Sequence, residues 1–223
     1  MTSADIITIG ERLEMIIIDG NIGSGKSSVL TRLQHIQPTQ NWNIIPEKFV
    51  FGDANNDPIL PKFYNNPDKY GMSVQLKVLL SHMENKTNTI TDSTTITERS
   101  PLSCLYVFGE LLAESGYINE EEQAICIDIN KRYGWFPNHA IYIRTSPDVC
   151  YERIHNRGRD YERESIKLSY LESLHDKYEN LYTTSVPHIA SNMKVYVVDG
   201  NRPIDEVYAN VLDILAEIQY LYL

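Results

Sequence analysis

The sequence predicts an α/β fold: a five-stranded parallel sheet flanked by helices, with one phosphate-binding loop and an arginine-bearing lid. Three observations carry that expectation. An apolar run at 15–18 feeds the glycine-rich stretch DGNIGSGKSS. Short apolar and β-branched runs then alternate with helical patterns as far as the C-terminus. Late in the chain, Arg153, Arg157 and Arg159 cluster where a helical pattern meets a glycine.

The phosphate loop is the first element after the opening strand. Gly20, Gly25, Lys26 and Ser27 match G-x-x-x-x-G-K-[ST], a pattern that has meaning only between a strand and a helix. Residues 15–19 supply the strand and 27–35 the helix. Asn21, Ile22, Gly23 and Ser24 fill the loop, and Ser28 follows it. Glycines let the backbone curl until successive N–H groups point inward at a helix N-terminus, where they hold anions. Lys26 is expected to reach the β- and γ-phosphates, and the Ser27 hydroxyl to ligate Mg²⁺.

Further strands are expected at 43–46, 94–97, 139–144 and 194–198. Helices are expected at 72–86, 101–115, 120–133, 147–156, 165–182 and 203–220. Residues 1–14 carry acids and lack a basic leader pattern, so they are expected to form a short arm. Residues 15–223 then make one domain, with the lid at about 153–165. The segment FVFGDANNDPILPKFYNNPDKY, 49–70, is rich in Asn, Pro and aromatics and is expected to be a functional loop.

Composition narrows the class. The 223 residues carry a net charge of −10, which leaves no basic footprint for tracking nucleic acid. Small-molecule ligands suit such a chain better. No apolar run reaches membrane-spanning length. Three scattered cysteines form no C-x-x-C pair and read as reduced thiols, pointing to the cytoplasm.

In an open parallel sheet, ligands sit beyond the carboxyl ends of the strands. Glu47 follows the second predicted strand, and Glu98 and Arg99 follow the third. All three therefore belong to the rim that carries the phosphate loop. Arg153 and Arg157 are four apart and share a helix face, and Gly158 lets Arg159 turn. Such a cluster suits neutralisation of a transferring phosphoryl group.

In this order, these residues resemble the deoxynucleoside kinase family, which includes deoxycytidine, deoxyguanosine and mitochondrial thymidine kinases. The likeness runs from about Met15 to the C-terminal helix. It is carried by DGNIGSGKSS, the Pro-Glu pair ending in Glu47, ERS at 98–100 and R-x-x-x-R-G-R at 153–159. Tyr64 followed by Asn-Pro, then Gln75, and YLESLHDKYENLY at 170–182 add to it.

The resemblance implies a P-loop kinase moving the γ-phosphate of Mg-ATP to the 5′-hydroxyl of a deoxynucleoside, a step of DNA-precursor salvage. Glu47 would take the hydroxyl proton, and Arg99 would hold that carboxylate and the 5′-oxygen in line. Glu98 would join Ser27 on Mg²⁺. Tyr64 and Glu162 would bond the sugar 3′-hydroxyl, and Gln75 would read the base edge. Asp199 and Asn201 would lie in the loop over the adenine of ATP. Members of the family are usually homodimers packed through helices.

The base pocket departs from the family pattern. Gly52 replaces the usual tryptophan, and Val74 a stacking phenylalanine. His82 and Cys104 occupy two positions that separate the subfamilies, and match neither the Arg–Asp nor the Met–Ala pattern. Base preference is therefore left open. A nucleoside monophosphate kinase of the thymidylate kinase type shares the loop and lid, but needs no base for a hydroxyl. A GTP-binding switch would want N-K-x-D, and the nearest string, Asn85-Lys-Thr-Asn88, lacks the aspartate. A catalytically silent nucleotide-binding module has no use for Lys26, Glu47, Glu98 and Arg99 together.

Overall fold

Five parallel strands form one sheet in the order β2–β3–β1–β4–β5: β1 Met15–Asp19, β2 Trp42–Ile45, β3 Thr94–Glu98, β4 His139–Arg144 and β5 Lys194–Asp199. The computed structural model describes residues 14–37, 40–47, 59–87, 93–157 and 160–220. The expected arm at 1–14, apart from Glu14, lies outside the described residues. So do Gly52, Gly158 and Arg159.

β1 sits at the centre because it is apolar on both faces. All five of its residues are buried, as a parallel strand covered by helices on each side requires. Ile16 and Ile18 pack with α1 (Lys26–Ile36) and α9 (Ile204–Tyr220), through Val29, Leu33, Val211 and Leu215. Met15 and Ile17 face the opposite layer, where Leu102, Val107, Leu171 and Tyr178 fill the core. The strand's period of two thus divides its side chains between two separate helix layers.

That second layer holds α3 (Pro67–Thr87), α4 (101–114), α5 (Glu120–Tyr133) and α8 (168–189). Ser100 starts α4, its hydroxyl accepting from the Leu102 amide at 3.2 Å, with Pro101 at the first helical position. A capping box between Asn119 and Glu122 starts α5. α6 (Pro147–Arg157) and α7 (Asp160–Ser165) occupy the region expected to form the lid.

Observed strands agree with the expected ones to within one residue at either end. The helices differ more. The segment expected as a loop at 49–70 contains α2, Ile59–Asn65, and the start of α3. Its prolines read as breakers, but Pro61 and Pro67 occupy first turns, where the missing N–H costs nothing. The helix expected at 165–182 starts at Leu168 and continues through a π-helical turn, Asn180–Ser185, to Ile189. α4 contains a second π-helical stretch, Cys104–Gly109. Such turns leave no periodicity strong enough to read from residues alone.

Gly23 in the phosphate loop shows why that loop needs glycine. Its φ is +80°, and a Cβ there would lie 2.6 Å from the Cys150 carbonyl oxygen on α6. Gly23→Ala is therefore expected to destabilise the protein by about 1–3 kcal/mol. Chemical denaturation checks this; an unchanged midpoint would contradict the packing described.

Candidate active site

The sheet register gathers the charged residues. Ile18 pairs with Glu98 and Asp19 with Tyr142, so β1, β3 and β4 end at one rim beside the phosphate loop. Beyond that rim lies a cavity of about 690 Å³, within the range of small-molecule sites. Its lining includes Ile22, Gly23, Gly25, Lys26, Ser27 and Ser28 from the loop and first helix. Glu47, Tyr64, Gln75, His82, Glu98, Arg99, Cys104, Arg153, Arg157 and Glu162 also line it.

Arg99 occupies the centre of this arrangement. It is buried, and its Nη1 donates to Glu47 Oε2 at 2.5 Å. Its Nε donates to the Tyr178 hydroxyl at 3.3 Å, and its guanidinium lies 5.1 Å from the Phe108 ring centroid. Its backbone adopts a left-handed φ of 61°, a strained state for a side-chain-bearing residue. Two bonds hold that state: the Arg99 amide donates to Ile18 O at 3.1 Å, and Thr97 Oγ1 donates to Arg99 O at 2.9 Å.

The two carboxylates are driven apart. Burial pushes Glu47 up, but the charges of Arg99 and Lys26, with the Arg99 hydrogen bond, hold it below the usual range. Burial, with the Glu47 charge beside it, pushes Glu98 above that range. Glu47 thus favours its ionised form, and Glu98 is a carboxyl that gains from a cation nearby. Ser27 Oγ donates to both Glu98 oxygens, at 3.0 and 3.1 Å. Hydroxyl and carboxylate converge at the loop mouth, and this pair of hard oxygen donors fits Mg²⁺.

Lys26 Nζ donates to Asn21 O at 2.8 Å, which folds the lysine back over its own loop. Burial, and then the Arg99 charge, lower its pKa to about 8. Asn21 ties the loop to α8 through a bond from Nδ2 to Leu171 O at 2.8 Å. Gly20 precedes it with a φ of +146° and Ser24 lies buried behind it.

The far end of the cavity is apolar with a few polar groups. Val74, Val78, Phe108 and Leu112 line it. Gln75 Nε2 donates to Cys104 O at 2.9 Å, within the π-helical stretch of α4, so the bulge sets how the amide faces. Gly109 makes room: a Cβ there would lie 2.7 Å from Gln75 Nε2. Burial lowers the His82 pKa, and its Nε2 has no partner among the described residues. Burial also pushes the Cys104 thiol far up, which leaves it protonated.

The structure gives Arg153 and Arg157 different partners. Arg157 forms an ion pair with Glu162, joining a lid cation to a sugar-site candidate. Arg153 Nη1 donates to Gly200 O at 2.8 Å and to Ser24 O at 3.4 Å, clamping the loop to the turn after β5. Arg159 lies outside the described residues. Asp199 and Asn201 do not line the cavity. They close that turn, with Asn201 N–H donating to Asp199 Oδ1 at 3.0 Å.

Sequence reasoning passed over Asp19, Phe108, Tyr178 and Tyr182. Asp19 stands inside the quoted loop motif, and the tyrosines lie four apart in the 170–182 stretch, which counted only toward the family resemblance. The signal for them was the coincidence of a buried acid with hydroxyl-bearing rings, which needs the fold to be seen.

The family model for deoxynucleoside kinases matches residues 16–221 of the chain. A probable deoxycytidine kinase of fowlpox virus is 29% identical over 220 residues, covering 93% of this chain and 91% of that one. Deoxycytidine kinase 2 of Gallus gallus is 31% identical over 228 residues, covering 86% and 84%. Human deoxycytidine kinase is 26% identical over 241 residues, covering 93% and 92%.

With a pKa of about 8, Lys26 loses its proton as pH rises through that value. A bound triphosphate requires the charged form and raises the pKa. Above pH 8, ATP binding is therefore expected to take up a proton and to weaken by up to about tenfold per pH unit. Calorimetry in two buffers of different ionisation enthalpy measures both. Affinity that stays flat, with no proton uptake, would contradict the role given to Lys26.

Proposed function

Because the chain belongs to the deoxynucleoside kinase family, we propose that it transfers the γ-phosphate of Mg-ATP to the 5′-hydroxyl of a deoxynucleoside. Family membership makes it an ATP-dependent nucleoside kinase. The position of the transferred group is the further step, and the observation that carries it is the buried pair of Glu47 with Arg99.

A primary hydroxyl is a poor nucleophile until its proton has an acceptor. Glu47 is ionised, lies on the cavity and is held by Arg99 through one oxygen, leaving the other for the hydroxyl proton. A positioned carboxylate contributes about 10²–10⁴-fold. The loop amides and Lys26 hold the donor phosphates at one end of the cavity, and the nucleoside fills the other. Gln75, His82 and Cys104 face the base, and Tyr64 and Glu162 the sugar. Arg153, Arg157 and Arg159 belong to the lid over the transferring group. Asp199 and Asn201 shape the turn that borders the adenine. Ser27 and Glu98 would hold Mg²⁺, which supplies charge neutralisation on the phosphates.

A nucleoside monophosphate kinase fits less well. Its acceptor phosphate would stand against the Glu47 carboxylate, where like charges repel. Two further features belong to the proposal. The protein is a homodimer, supported by exposed Leu80 on α3 and exposed Ile125 and Tyr133 on neighbouring α5. It works in a reducing compartment such as the cytoplasm, supported by the buried free thiols Cys104, Cys126 and Cys150.

Glu47→Gln is expected to cut turnover by about 10²–10⁴-fold while leaving ATP binding intact. Steady-state kinetics with calorimetric ATP titration checks it. Near-normal turnover in the variant would remove Glu47 from the reaction.

A further inference from the structure

Arg99 touches Glu47 through a single nitrogen. One contact fixes a distance but leaves the planar guanidinium free to swing about it. In the structure, a second contact on the Nε edge removes that freedom, and it leads back to Asp19.

Asp19 ends β1 and is fully buried. Its Oδ1 accepts from the Gly20 amide at 2.8 Å and from the Tyr178 hydroxyl at 3.0 Å. Its Oδ2 accepts from the Tyr182 hydroxyl at 2.6 Å. The Tyr178 hydroxyl has one proton, and giving it to Asp19 turns an oxygen lone pair toward Arg99 Nε–H, which donates at 3.3 Å. Asp19 Oδ1 itself lies 3.9 Å from that Nε, so its charge supports the same orientation.

We propose that Asp19, acting through the Tyr178 hydroxyl, is the positioning residue that fixes the Arg99 guanidinium against Glu47. This rests on the reading of Glu47 as the acceptor of the hydroxyl proton. Asp19 also binds the first amide of the phosphate loop, so one carboxylate sets both halves of the reaction. The loop is held through Gly20, and the proton acceptor through Tyr178, Arg99 and Glu47. A shift of the loop relative to the base is thereby resisted at the strand end.

The neighbouring ring separates positioning from packing. Tyr178 and Tyr182 both stack near Tyr142, with centroids at 5.9 and 4.9 Å, and both donate to Asp19. Only Tyr178 also accepts from Arg99. Removing either hydroxyl costs one bond to a buried carboxylate, but only one removal frees the guanidinium.

The test compares Tyr178→Phe, Tyr182→Phe and Glu47→Gln in the full chain, with melting temperature, kcat, KM and the pH profile of kcat/KM. Besides Arg99, Glu47 feels His82 from α3 and Lys26 from α1, with Glu98 close by at the end of β3. None of these is altered in the tyrosine variants. Tyr178→Phe is expected to lower kcat by about 10–100-fold with KM changed less than about threefold. Its acid limb moves to higher pH, because a looser Arg99 depresses the Glu47 carboxyl less. Tyr182→Phe is expected to melt at a similarly reduced temperature with kcat and the acid limb unchanged. If Tyr178→Phe matches Tyr182→Phe in kcat and acid limb while Glu47→Gln is impaired, the positioning role is overturned and the base survives. If Glu47→Gln stays active, the base reading fails, and this inference falls with it.

Discussion

A guanidinium and a carboxylate in a buried site each lose several kcal/mol of hydration, and their mutual hydrogen bond offsets part of that loss. Arg99 answers Glu47 through Nη1 and the Tyr178 hydroxyl through Nε, and much of the rim is arranged around this pair. Arg99 leaves β3 in a left-handed turn, which aims its side chain back across the ends of β1 and β3. Ser100 then starts α4 at once, so the strained residue is clamped between a strand and a capped helix. Phe108 from α4 and Tyr178 from α8 close the remaining sides. The pair thus ties the helix layer to the sheet as well as presenting a base to the cavity.

Electrostatics divides the cavity along its length. At the loop end are Lys26, the Ser27–Glu98 pair, Arg153 and Arg157. At the other end are apolar side chains and neutral polar ones, since burial keeps His82 low and Cys104 protonated. Glu47 and Arg99 stand between the two. An acceptor with an uncharged ring at one end and a hydroxyl at the other matches that gradient. Arg157 pairs with Glu162, and Arg153 caps carbonyl oxygens beside the loop.

The sheet and the phosphate loop were legible because their signals are local. An isoleucine run feeding a glycine loop has few other structural meanings, and strand ends show where buried residues give way to charge. The place of Glu47, Glu98 and Arg99 at the rim was readable that way, from position alone. The links between them were not, because Asp19, Tyr178 and Phe108 are far apart in sequence and ordinary in type. The helices in 49–70 were hidden by prolines that sit harmlessly in first turns. The π-helical stretches were hidden because one extra residue per turn leaves composition unchanged. Gln75 shows the limit: its place on a helix was readable, but the Cys104 carbonyl that orients it was not.

The central claim is that a buried, ionised Glu47 accepts a proton from a sugar hydroxyl. The most direct measurement is phosphoryl transfer by the purified protein from Mg-ATP, run in parallel on the four natural deoxynucleosides and on thymidine monophosphate. Product on one or more deoxynucleosides, and none on the monophosphate, is the result the account predicts. Product on the monophosphate alone would contradict it and leave Glu47 facing a group it repels.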